Sequence, residues 1–289
     1  MKPLWLALLL WPATLPAELP GDVNGLVAHM ARDDYAGQEA CEALVKLGTN
    51  AVPDLLPALK FPQARVRYWS AAALARIGDE RAFGPLTATL KQDRSAIVRS
   101  TILWHLPNFK TRQTEAYELA AKSLADPEPM VRGWAIKTLE HGRQTNQLHE
   151  IVALTGDQDA EVRHDALAAA VRLGGNAQLP LIEKLATSDA DPQVRAGALR
   201  CLTLLAEKKP AILAVMIAAL NDKSPDVQTT AAKLLAKGAN QSFGFDPSRP
   251  PDERARAVAK WREWYAQNKE QLRWSDEKRR FMLPDEPAR

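Results

Sequence analysis

Apolar residues recur along this chain at helical spacing, in blocks, and the blocks themselves recur. A Val-Arg pair stands at Val66-Arg67, Val98-Arg99, Val131-Arg132, Val162-Arg163 and Val194-Arg195, and Val227-Gln228 keeps the Val alone. Successive valines lie 32, 33, 31, 32 and 33 residues apart. Five residues before the Val an Asp recurs, at Asp93, Asp126, Asp157, Asp189 and Asp222, with Phe61 in that place in the first copy. Small and apolar residues follow each Val at i, i+3 and i+4 spacing, as in VRYWSAAALARIG from Val66 to Gly78. That period predicts an amphipathic helix. A second amphipathic stretch precedes each one, over Val52–Leu59, Ala82–Leu90, Thr114–Leu124, Leu148–Leu154, Leu179–Ala186 and Ile212–Leu220.

The flanking residues give these helices starts and stops. Ser95, Asp159, Asp191 and Ser224 sit three residues before the Val, where a side-chain oxygen can accept from a free N–H of the first turn. Pro129, Pro192 and Pro225 follow in the first helical position, where the missing N–H costs nothing. Gly78, Gly142, Gly174 and Gly238 are positioned to end the helices. Each period therefore reads as a helical hairpin that buries its apolar face only by stacking on its neighbours.

The run from Asn50 to Asn240, with its VR-x-x-A-A-x-A-L pattern and upstream Asp, resembles the short HEAT-type repeats named after phycobilisome lyases. The resemblance implies an all-α fold, an α-solenoid wound as a right-handed superhelix of HEAT-type hairpins. It also implies a structural ladder in which Arg67, Arg99, Arg132, Arg163 and Arg195 each reach the Asp of an adjacent turn. Repeat type is a statement about fold and does not transfer an activity.

Both ends depart from the pattern. Residues 22–48 form a hairpin without the Val-Arg pair, as an N-terminal cap of the repeats at 50–240 would. Residues 241–272 open with a Pro-rich turn and continue as a helix with Val258, Trp261, Trp264 and Tyr265 on one face. This segment resembles a tail of exported bacterial HEAT-repeat proteins and reads as the C-terminal cap. The charged stretch 273–289 reads as a mobile tail.

The first 17 residues change the picture of where the chain works. Lys2, the apolar run Leu4–Trp11, Pro12 and the small Ala17 follow the order of a secretory signal peptide. Cleavage there gives a periplasmic or secreted chain without a transmembrane segment, since no later apolar run approaches the roughly 20 residues a membrane helix needs. Cys41 and Cys201 lie five periods apart, too far along a stack for a disulfide, and read as buried thiols. A formal charge of +3 gives no general pull toward nucleic acid, which is a disfavoured partner.

Candidate chemistry is sparse. His29, His105, His141, His149 and His164 show no metal-ligand spacing, and His149-Glu150 is the lone His-Glu pair. The deoxyhypusine hydroxylases, an enzyme class built on HEAT-type repeats, place several such pairs. No catalytic residue, cofactor or metal site is expected. Counting the Val as zero, positions four, five, seven and eight of the second helix should be buried, and positions two, three, six and ten should face an inner surface. Those positions carry Tyr68, Trp69, Arg76, Trp104, Trp134, Lys137 and His141, then His164, Asp165, Arg172, Arg200, Lys233 and Lys237. Trp, Tyr and Arg are the residues most enriched in binding hot spots. The expectation is a monomeric, non-catalytic scaffold that binds a protein or peptide, an acidic one given the basic end. Two alternatives stand beside it. The tryptophans could pack on neighbouring helices, or the chain could be an enzyme of lyase-like or DNA-glycosylase-like type.

Overall fold

A computed structural model of the chain describes residues 19–205 and 207–284, so the expected export signal at 1–17 lies outside the described residues. The chain divides into two compact units, Met1–Thr111 and Arg112–Arg289. In the first unit, α1 (Val23–Met30) pairs with α2 (Asp34–Leu47). Next comes the single turn α3 (Val52–Leu55), continued as a 3-10 turn over Leu56–Lys60, which pairs with α4 (Ala64–Ile77). The third hairpin is α5 (Glu80–Gln92) with α6 (Ala96–His105). The second unit continues the alternation with α7 (Gln113–Ser123) and α8 (Pro129–His141), then α9 (Leu148–Ala153) and α10 (Ala160–Gly174). It goes on through α11 (Leu179–Ser188) and α12 (Pro192–Cys201) to α13 (Ala211–Ala219) and α14 (Pro225–Ala239). The terminal helix is α15 (Pro251–Asn268). Hairpins at the expected period, closed by a terminal helix, make an all-α solenoid.

The buried positions are the expected ones. Ser70, Ala71, Ala73 and Leu74 on α4, Ala166, Leu167, Ala169 and Ala170 on α10, and Ala198, Leu199, Cys201 and Leu202 at α12 are all buried. Within each unit the second helices pack directly on one another, α2 on α4 on α6, and α8 on α10 on α12 on α14. Their small side chains allow that approach. Cys41 and Cys201 are buried free thiols, and burial pushes the Cys201 thiol up to about 11.

The Arg–Asp ladder has a definite construction. Arg67 Nε and Nη2 donate to the two carboxylate oxygens of Asp93 at 2.7 and 2.8 Å, while Nη1 donates to the carbonyls of Phe61 and Pro62. Arg132 holds Asp157, Arg163 holds Asp189 and Arg195 holds Asp222 with the same fork. Each Asp also accepts from the N–H two residues on, as Asp93 does from Ser95 and Asp222 from Ser224. One Arg thereby ties its own inter-helix loop to the loop of the next repeat. This explains Phe61. The Asp serves the Arg of the preceding repeat, and in the N-terminal hairpin Ala36-Gly37 occupy the Val-Arg register, so no Arg calls for an Asp at 61.

Some local expectations are corrected. Asp159 and Asp191 cap their helices with the side chain, but Ser95 and Ser224 do not. Gly78 ends α4 in the left-handed conformation. Helix α10 runs through Gly174 to stop at Gly175, and α14 runs through Gly238 to Asn240, where an Asn tolerates φ 52°. Residues 273–284, in the stretch expected to be a mobile tail, are ordered instead. Arg273–Ser275 and Arg280–Met282 pair as an antiparallel hairpin, β1 and β2, with Phe281 buried against the end of the core. Trp274 and Phe281 stack edge to face at 5.3 Å on this hairpin.

Candidate functional site

The face presented by the second helices is graded by register. Positions six and ten are exposed wherever they carry a large side chain: Arg76, Trp104, Lys137, His141, Arg172, Arg200, Lys233 and Lys237. Positions two and three are not exposed as expected. They fall in the seams between successive second helices, and Tyr68, Trp69, Trp134, His164 and Asp165 are half-buried there.

In the first unit the correction is specific to Trp69. Its indole from α4 lies over Gly37 of α2, so closely that a Cβ on that glycine would sit 2.0 Å from the indole nitrogen. Tyr68 meets the same ring edge to face, with centroids 4.7 Å apart. Trp69 therefore fills a seam, and its Nε1 is buried without a hydrogen-bond partner among the described residues. Trp104 on α6 differs, with 40% of its surface exposed. Beside it, burial pushes the His105 imidazole below its ordinary range, and the Arg76 charge adds to that.

In the second unit the second-helix face is charged. Lys137 Nζ lies 2.7 Å from Asp165 Oδ2 and 5.3 Å from the centre of the Trp134 ring, which suits a cation–π contact. His164 Nδ1 stands 3.8 Å from the other Asp165 oxygen. Burial pushes the Asp165 carboxyl up, but His164 and Lys137 outweigh it and hold it below the usual carboxylate range. Two glycines make room for this pair. A Cβ on Gly133 would stand 3.2 Å from Asp165 Oδ2, and one on Gly197 would stand 2.5 Å from the His164 ring. A cavity of about 530 Å³ opens beside it, lined by Lys137, Glu161, His164, Asp165 and Gln193 among others. Further along, Arg172 donates to Glu140 at 2.9 Å. Arg200, Lys233 and Lys237 have no ionic partner among the described residues.

Sequence reading placed the cations on this face and missed their pairing. Glu140 was not singled out, and Asp165 was not linked to Lys137. The signal was register: facing second helices bring position three of one against position six of the one before. Among the described residues no three His, Cys, Asp or Glu side chains gather to hold a metal. No described helix is long and apolar enough to cross a membrane.

Comparison with known proteins speaks to fold. No curated protein matches the chain. Escherichia coli YibA has a similar structure at 20% identity and a TM-score of 0.54, spanning 69% of this chain and 74% of that one. The CpcE–CpcF complex of phycocyanin lyase from Nostoc sp. PCC7120 matches at 25% identity over 62% of this chain and 96% of that one, with a TM-score of 0.37. Human deoxyhypusine hydroxylase matches at 18% identity over 75% and 84%, with a TM-score of 0.35. A model of HEAT repeats matches residues 23–107, 116–203 and 179–242, a span that includes the hairpins of the ladder. By its hairpins, its ladder and this match, the chain belongs to the family of HEAT-repeat proteins.

Proposed function

We propose that this protein is a non-catalytic scaffold whose second-helix face in the second unit binds an acidic segment of another protein. One observation carries the reading: Arg200, Lys233 and Lys237 are exposed on neighbouring helices with no ionic partner among the described residues. Lys137 and Arg172 on the same face are already neutralised by Asp165 and Glu140. Trp134, half-buried beside Lys137, supplies a rigid apolar contact at the other side of that patch. A few unpaired cations steer and orient an acidic partner more than they add affinity. The first unit has its own second-helix face, on which Trp104 and Arg76 are exposed.

The test is partner capture from an envelope or secreted fraction, with the wild type and an R200E/K233E/K237E variant, followed by titration of each captured protein. The expected partner has an acidic segment, binds the variant at least about tenfold more weakly, and weakens with salt as exposed charge pairs do. Equal binding by the variant, or tighter binding of duplex DNA than of any captured protein, would reject the proposal. The proposed place of action is the periplasm or the exterior, as a monomer. Amino-terminal sequencing of the native protein should find Glu18 first, and an intact Met1 on most molecules would remove the basis for export.

A further inference from the structure

The opposite side of the first unit carries a groove that the second-helix face does not touch. It lies between α3 with its 3-10 continuation and α5, and its volume is about 900 Å³. Proline explains why it exists. Pro53 and Pro57 stand at the starts of α3 and of the 3-10 turn, and Pro85 lies inside α5. Proline donates no N–H and its ring crowds the preceding turn. The first helix of this hairpin is thus α-helical for four residues only, where α5 keeps 13. A short, irregular element faces a full-length helix, and the space between them stays unfilled.

The walls are apolar and rigid. Leu56, Leu59, Pro62 and the three helix prolines form them, and Phe61 keeps 38% of its surface exposed at the margin. The charges are one-sided. Lys60 and Arg94 line the groove, are exposed, and have no ionic partner among the described residues. The carboxylate in the lining, Asp93, has both oxygens taken by Arg67 at 2.7 and 2.8 Å. Lys60 ends the 3-10 turn and Arg94 lies in the α5–α6 connection, each just ahead of a second helix, so the cations mark the ladder edge of the groove. The volume falls within the range of a ligand site, roughly 300–1,000 Å³.

We infer that this groove is a second docking surface, taking an extended segment of a partner protein whose apolar side chains are followed by acidic ones. The apolar side chains pack on Leu56, Phe61 and the prolines, and the carboxylates meet Lys60 and Arg94. The inference is independent of the proposed second-helix face and would survive its failure.

The probe is a fluorescein-labelled Leu-Leu-Pro-Leu-Asp-Asp peptide, titrated into the full chain and compared with the same peptide ending in Lys-Lys. The acidic peptide should bind the wild type at least tenfold more tightly than the basic one. K60E/R94E should reverse that order, and Phe61→Ser should weaken the acidic peptide several-fold. Both are surface changes, and circular dichroism should show unaltered helix content. The inference is overturned if the two peptides bind alike, or if K60E/R94E leaves their order unchanged. It is also overturned if anionic phospholipid vesicles displace the peptide, or if sedimentation shows a second copy filling the groove in a way F61S abolishes.

Discussion

Replacing Arg195 by alanine would strip one side chain of four hydrogen bonds, two to Asp222 and two to the carbonyls of Asp189 and Ala190. Asp222 would keep a largely buried charge with only the Ser224 N–H and nearby cations to meet it. Breaking one side of a buried pair costs about 3–5 kcal/mol, far more than a surface ion pair. Urea denaturation should therefore show Arg195→Ala destabilised by about 3 kcal/mol. Arg195→Lys should recover only part of that, since an ammonium cannot reproduce the planar fork. A loss below about 1 kcal/mol for Arg195→Ala would mean that the ladder is decoration on the apolar packing. At this scale the sequence was highly legible, because the ladder needs Arg and Asp at fixed spacing and little else can substitute. Trp69 was less legible. Its register position predicts exposure, and only the absent side chain of Gly37 on another helix lets the indole lie down.

The helices themselves were legible for the same reason of periodicity, while the closing elements were not. The last rung shows why. Gln228 takes the place of the ladder Arg, and 26 residues on, the spacing of Arg67 to Asp93, stands Arg254 on α15. Arg254 Nη1 donates to Gln228 Oε1 at 3.2 Å, and Gln228 Nε2 donates to the Asp222 carbonyl at 2.5 Å. The cation has moved from the repeat to its cap, so the rung runs in reverse. Only a reader who already knows the rung geometry can see α15 as its final partner. The β1–β2 hairpin was hidden differently: its residues are mostly charged, and the single buried Phe281 gives no alternation to read. The reversed rung makes a clear prediction. Gln228→Arg alone sets two guanidinium groups together and should destabilise by about 1 kcal/mol. Adding Arg254→Asp should restore an ordinary rung and recover the loss. Thermal or urea denaturation of the four proteins in this cycle should give a coupling of about 1 kcal/mol or more, within the usual range for contacting residues. Additive effects would show that α15 docks through Trp261 and its neighbours alone.

Across the molecule the ladder also sets how the fold meets acid. Burial pushes the carboxyls of Asp93, Asp157, Asp189 and Asp222 up, but the Arg fork and the N–H two residues on outweigh it, so each ends below the ordinary range. Unfolded, the same carboxyls titrate near 3.9. A group whose pKa is depressed by folding contributes stability that is fully present above its unfolded pKa and is lost as pH falls through its folded pKa. Melting temperature should therefore be flat with respect to these groups above about pH 5 and fall progressively below about pH 4. Carboxylates outside the ladder complicate the reading, since Asp79, held by the half-exposed Arg81 side chain and its N–H, is also pushed down to about 2. Salt separates the two classes. At 0.5 M sodium chloride exposed pairs are screened, whereas the ladder carboxylates, enclosed between repeats, are screened much less. In that salt, a D157N/D189N variant should melt lower than the wild type at pH 7 and lose less on going to pH 3, so that the two curves converge. Parallel curves would mean that the acid sensitivity lies outside the ladder, and that its rungs hold the hairpins by hydrogen-bond geometry more than by charge.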